Sequence, residues 1–188
     1  MEKKRIVIGI SGASGVPIAV ELLKYFSRLE EWETHLVISR GGEMTIQMES
    51  DYTVEEIKGL ANVVYDNNNL GAAIASGTFR TCGMVIVPCS MKTVAGIANG
   101  FSENLLLRAA DVTLKENRPL ILVAREMPFS CIHLRNMSSL AQMGAVIMPP
   151  MMTFYNKPNS IDDMVKHVVG KIADRFSISD HSFFRWGE

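Results

Sequence analysis

Six short apolar runs punctuate the chain, and none alternates strictly between apolar and polar residues. They fall in the β-branched stretch that opens at Arg5 and at residues 34–39, 61–65, 84–88, 120–124 and 145–148. Runs of this length and continuity predict strands buried on both faces. Between them the apolar spacing changes to that of a helix. Ile18, Val20, Leu22, Leu23 and Phe26 mark the first helix, which gives way to charge at residues 28–31. A short helix is expected over 41–48, and another follows residues 89–93 until Gly100 stops it. A long helix is predicted from a Ser102 cap through Glu116, ended by Asn117-Arg118-Pro119. One over 134–143 closes at Gly144, and a final amphipathic helix runs from a Ser160 cap to about Phe176.

Strands alternating with helices predict an α/β fold: one doubly wound, mostly parallel sheet with helices on both faces, Rossmann-like or flavodoxin-like. No repeat, low-complexity segment or linker divides the chain, so residues 1–188 read as one domain with 177–188 as a C-terminal tail. A net charge of −1 offers no electrostatic case for nucleic acid or a membrane surface. No apolar run approaches the ~20 residues of a membrane span. The first strand follows Met1 too closely for a signal peptide, and Cys82, Cys89 and Cys131 form no C-x-x-C pair. The expectation is a cytoplasmic protein with reduced thiols, no disulfide and no zinc site.

The first strand ends in Gly9, Gly12 and Gly15, just before the first helix. Small residues there let backbone N–H groups approach an anion at a helix N-terminus, which suggests a phosphate-bearing ligand; the same turn also serves close packing. In open α/β sheets ligands sit beyond the carboxyl ends of the strands. Ser11 to Ser14, Ser39, Ser90 to Thr93, and Arg125 with Glu126 all follow strand ends and should share one rim. The second strand ends in Ser39-Arg40 rather than an acidic residue, the glycine spacing is not G-x-G-x-x-G, and Lys92-Thr93 lacks a P-loop's glycines. Those absences disfavour NAD and ATP and leave a mononucleotide such as FMN. Arg108, Asp111 and Lys115 share one helix face, as a solvated salt-bridge stripe or as a second anion site. The tail 181–188 is aromatic enough to pack on a neighbouring subunit or to cover a site.

Taken together, these segments resemble the UbiX/Pad family of flavin prenyltransferases. The resemblance rests on residues 9–15, 88–93 with Ala95-Gly96, 108–116, 125–130, 132–134, Asn136-Met137, Pro149-Pro150 and Phe154-Tyr155. It looks nearest the branch found with phenolic-acid decarboxylases. The resemblance implies metal-independent transfer of a dimethylallyl group from its monophosphate to N5 and C6 of reduced FMN. The product would be prenylated FMN for a UbiD-type decarboxylase. It also implies a homododecamer with active sites between subunits. By position, Gly12, Ala13, Ser14, Ser39, Ser90, Met91, Lys92, Thr93 and Arg125 would hold FMN. Arg108, Lys115, Glu126, Tyr155 and Lys171 would surround the prenyl phosphate. Ser14 and Glu49 would handle protons around N5 and C6, Trp186 would supply an aromatic wall, and Lys115 and Glu126 would join these three as catalytic residues.

Two positions depart from some relatives: Lys171 stands in place of an Arg, and Leu70 in place of an aromatic residue. A flavin-dependent cysteine decarboxylase is a rival reading, but such enzymes resemble one another in a P-x-M-N-x-x-M-W segment. Here residues 149–155 read Pro-Pro-Met-Met-Thr-Phe-Tyr. A non-catalytic FMN-binding subunit of a decarboxylase is the other alternative; it explains the rim hydroxyls but not Arg108, Lys115 and Glu126 together.

Overall fold

The structure, a computed structural model, describes residues 3–178 and 183–187. Strands β1 (Lys4–Ile10), β2 (Trp32–Ile38), β3 (Val63–Tyr65), β4 (Gly83–Cys89), β5 (Leu120–Ala124) and β6 (Val146–Ile147) form one sheet in the order β3-β2-β1-β4-β5-β6. Every neighbouring pair is parallel. The α-helices are α1 (Val16–Ser27), α2 (Arg40–Glu49), α3 (Val54–Lys58), α4 (Met91–Ala98), α5 (Leu105–Lys115), α6 (Cys131–Gln142) and α7 (Ile161–Asp174). The strands carry no polar alternation because each face is covered. Ile6, Ile8 and Ile10 point into a core with α1 and α7, whereas Val7, Met84 and Ile86 point into a second core with α4, α5 and α6. The expected doubly wound, parallel α/β fold is what the chain adopts.

Some element boundaries differ from the sequence reading, for local reasons. Helix α5 is capped by Asn104, whose side chain accepts from Leu107 N at 3.0 Å, rather than by Ser102. Helix α6 starts at Cys131, before residue 134, because Ser130 and His133 form a capping box. Helix α3, which the apolar pattern does not announce, is held by the Thr53–Glu56 capping box. The last helix ends at Asp174 rather than near Phe176, and the edge strand β6 spans two residues.

Strand order reverses direction between β1 and β4, so the loops after these two strands diverge and open a crevice. Ser11 bridges its floor. Its N–H and its hydroxyl both donate to Pro88 O at 3.1 Å, and its oxygen accepts from Ser90 N at 2.8 Å. Beside it the turn after β1 meets the start of α2 backbone to backbone. A Cβ on Gly42 would lie 2.6 Å from Ile10 O, and one on Gly12 would lie 3.0 Å from Gly41 Cα. Nothing flexible can yield there. Gly42→Ala is therefore expected to cost about 1–3 kcal/mol, as overpacking does, read as a lowered urea midpoint at unchanged slope.

Candidate functional site

Four consecutive strands in space, β2, β1, β4 and β5, deliver Ser39, the turn Gly12 to Ser14, Ser90 to Thr93, and Arg125 to one rim. Ser39 caps α2 by accepting from Gly42 N at 3.1 Å. Ser90 caps α4 by accepting from Thr93 N at 3.3 Å, and its hydroxyl lies 3.1 Å from that of Thr93. Helix geometry leaves the first-turn amides of Arg40 and Gly41 in α2, and of Met91 and Lys92 in α4, without intrahelical acceptors. They suit an anionic group in the crevice. The Met91 side chain is buried in the core, so only its backbone serves the rim. Lys92 is exposed with Nζ 3.9 Å from Glu103, and Arg125 N donates to Cys89 O at 3.0 Å. Small residues, hydroxyls, amides and one guanidinium fit the phosphate and polar ring edge of FMN.

The N-terminus of α1 is different. Its cap is Gly15 at φ 126°, a conformation that excludes most side chains and leaves no capping group of its own. Glu49, at the end of α2, supplies one: Oε2 accepts from Gly15 N at 2.9 Å and from Val16 N at 3.4 Å. Pro17 has no N–H, and Ile18 N donates to Gly15 O. The anion at the glycine turn is thus the chain's own carboxylate, and a ligand phosphate is left to α2 and α4. No local motif announces this pairing, which joins residues 34 positions apart. Loss of surrounding water pushes the Glu49 pKa up. Hydrogen bonds from the Ser14 hydroxyl and the two amides, with the Arg125 charge, more than offset that and hold it below the usual carboxylate range. Ser14, Glu49 and Arg125 therefore converge, and Glu49 is ionised. On the neighbouring turn, Glu126 accepts from Met127 N at 3.1 Å.

The other candidate residues form two further clusters. Arg108 donates to Asp111 at 2.7 Å and to Ala75 O at 3.2 Å, Lys115 pairs with Glu116, and both cations line a depression shared with Arg80 and Arg118. Lys115 ends α5 just before β5, whereas Arg125 follows the far end of that strand; at ~3.3 Å per residue the two edges are ~16 Å apart. Tyr155 and Lys171 lie with α7, on the opposite face of the sheet from α5. The tail's residues 183–187 fold back onto α7: Arg185 holds Asp174 at 3.0 and 2.6 Å, and Phe183 fills the space that Gly170 leaves. Tyr155 then meets Trp186 edge-on at 5.4 Å. The rest of the expected tail, residues 179–182 and 188, lies outside the described residues. Leu70 is exposed in the loop after β3. One chain therefore does not close Arg108 and Lys115 with Tyr155 and Lys171 around one phosphate. Among the described residues no group of three or more His, Cys, Asp or Glu is placed to hold a metal ion, and no helix is long and apolar enough to cross a membrane.

Residues 1–173 match the Flavoprotein family model. The flavin prenyltransferase LpdB of Lactiplantibacillus plantarum is 52% identical over 183 residues, covering 97% of this chain and 98% of that one. A solved AnUbiX (PadA1), in complex with FMN and dimethylallyl pyrophosphate, superposes with TM-score 0.97 at 45% identity over 100% of this chain and 99% of that one. A dodecameric FMN-dependent UbiX-like decarboxylase from Escherichia coli O157:H7 gives TM-score 0.96 at 44% identity, covering 98% and 100%. The peptidyl-cysteine decarboxylase EpiD, at 18% identity and TM-score 0.61 over 80% of this chain and 83% of that one, shares the fold alone.

The Glu49 contacts make a pH prediction. Its folded-state pKa is depressed, so its contribution to stability is present above the ordinary carboxylate value of 4.5 and is lost as pH falls below it. Glu49→Gln is expected to flatten the acid limb of a stability–pH curve between about pH 5 and about pH 3, with little change in the slope near neutrality. An acid limb as steep as the parent's would remove the carboxylate from the cap.

Proposed function

The chain belongs to the flavoprotein family, among its UbiX-like flavin prenyltransferases, and from that premise we infer that it moves a dimethylallyl group from a dimethylallyl phosphate onto reduced FMN. The observation that carries this reading is the full-length likeness to a flavin prenyltransferase, joined to a rim shaped for a mononucleotide with an ionised carboxylate beside it. FMN supplies the nucleophilic ring atoms, N5 and then C6; the chain supplies charge, shape and a base. Gly12, Ala13, Ser14, Ser39, Ser90 to Thr93 and Arg125 would bind the mononucleotide through rim amides, hydroxyls and the guanidinium. Glu49 and Ser14 are joined by a hydrogen bond, so a proton released in the crevice can pass through the hydroxyl to the carboxylate.

Breaking an allylic C–O bond separates a phosphate from an allyl cation. Arg108, Lys115 and Lys171 are suited to the anion together with the Tyr155 hydroxyl, and the Tyr155 and Trp186 rings to the cation. Glu126, beside Arg125, would handle a proton at the leaving phosphate. Because those groups occupy opposite faces of the sheet in one chain, the site is assembled from more than one copy. The dodecameric relative supports such an arrangement. A UbiD-type decarboxylase as recipient of the product, and a cytoplasmic setting, complete the proposal.

Anaerobic incubation with reduced FMN and dimethylallyl monophosphate should yield a flavin heavier by one five-carbon unit, read by mass spectrometry. Unmodified FMN from folded, flavin-loaded protein with both the monophosphate and the pyrophosphate would overturn the assignment. Glu126→Gln is expected to keep FMN binding and lose prenylation; undiminished product would remove its catalytic role. Sharing of sites has its own test. Glu126→Gln and Arg108→Ala should each be inactive alone, yet their coexpressed mixture should regain about a quarter of parental activity if the two side chains come from different copies. A mixture as inactive as its components would mean that one copy supplies both.

A further inference from the structure

Tyr155 is 44% exposed, but its hydroxyl is not left to solvent alone: it lies 3.2 Å from Nε2 of His167 on α7. His167 is 5% exposed and is packed edge-on by Tyr155 on one side, at 5.7 Å, and Phe183 on the other, at 5.6 Å. Phe183 can sit that close because Gly170, one turn further on, has no Cβ; one would lie 2.3 Å from the Phe183 ring. Lys171 follows His167 by four residues, so the imidazole and the ammonium share a stripe of α7. Burial first, and the Lys171 charge second, push the His167 pKa down, so the ring is neutral and carries one proton.

Which nitrogen carries that proton follows from the other one. Nδ1 is buried with no hydrogen-bond partner among the described residues. A buried N–H without an acceptor is the rarer and costlier defect, whereas an unpaired lone pair is more readily tolerated. The proton therefore sits on Nε2, facing the Tyr155 oxygen. That arrangement fixes the direction of the whole chain of bonds. A phenol that accepts from His167 keeps its own proton for another acceptor and becomes a stronger donor to it. The opposite tautomer would draw the phenolic proton inward onto the imidazole.

Resting on the reading that Tyr155 and Lys171 meet the prenyl donor's phosphate, we propose that His167 is a positioning residue. Its Nε2–H donates to the Tyr155 hydroxyl and thereby aims the phenolic proton at the phosphate beside Lys171. Sequence alone does not single out His167, because a lone histidine at a helical core position carries no local sign of its partner.

The test is a cycle of variants in the full-length protein, assayed for prenylation of reduced FMN at varied dimethylallyl monophosphate, with FMN affinity and thermal midpoint as controls. Tyr155→Phe is expected to raise the donor KM about tenfold or more, the weight of one hydrogen bond to a charged group. His167→Phe should raise it by a similar factor with kcat and FMN affinity little changed. The double variant should be no worse than Tyr155→Phe, because His167 acts only through that hydroxyl. His167→Gln, whose amide can still donate to Tyr155, should recover part of the loss and serves also if the Phe variant fails to fold. Multiplied defects in the double variant, or a parental KM in His167→Phe and His167→Gln, would overturn the proposal alone. A parental KM in Tyr155→Phe would overturn the phosphate-site reading and the proposal with it.

Discussion

No side chain fits between the turn after β1 and the first turn of α2. Gly12, Gly41 and Gly42 bring the two backbones to contact, with Ile10 O against the position a Gly42 Cβ would take. That approach sets where α2 starts and therefore where it ends, one helix length away, at Glu49. The carboxylate then reaches back to Gly15 and Val16 and caps α1, which has no capping side chain because its own cap must be glycine. The glycines, the helix and the carboxylate form one device. Close backbone packing aims α2, α2 carries the carboxylate, and the amides of α1 help keep it ionised.

Much of this molecule is legible from sequence because its strands and most of its helices are local patterns. The apolar runs of β1, β2, β4 and β5 mark a sheet covered twice, and caps such as Ser160 announce their helices at short range. What escapes such a reading has a common physical origin. Helix α3 is too short for an apolar period, and is held by polar contacts between Thr53 and Glu56. The partnership of Glu49 with Gly15, and of Tyr155 with His167, joins groups that neither periodicity nor a nearby motif connects. The glycine turn reads as a place for an anion, which it is, but the source of that anion lies in the next helix. Resemblance supplies residue names around a phosphate without the geometry that separates them within one chain.

That separation has an electrostatic logic. Arg108 and Lys115 share a depression with Arg80 and Arg118, a gathering of like charge that is eased by Asp111 and Glu116. Ion pairs at such exposure contribute little, commonly ~0–1 kcal/mol each. They orient the cations loosely and, in the proposed site, would yield readily to a phosphate, whose greater charge and several oxygens reward the exchange. A strong buried pair would orient the arginine better and surrender it less easily. In the proposed donor site Lys171, a compact charge without a fork, would meet a phosphate as a point contact, leaving the directional part of recognition to Arg108 and the Tyr155 hydroxyl.

The tail bears on what assembly would add to the proposed chemistry. Arg185 is clasped by Asp174 and lies over the Phe183 ring, so the segment is anchored to α7 from both sides of its turn. Yet Trp186, which this anchoring presents edge-on to Tyr155, remains 79% exposed. An indole in water stabilises an allyl cation weakly, since solvent competes for the charge; against a dry wall the same ring is worth severalfold more. The single chain positions the aromatic face and leaves it wet. In the proposed function, a neighbouring copy that covered the face would remove that water and, by bringing an α5 cation cluster to the same place, would supply the charges a departing phosphate requires. Assembly would then do for the proposed site what the sheet does for the core: exclude water from groups that only become useful once water is gone.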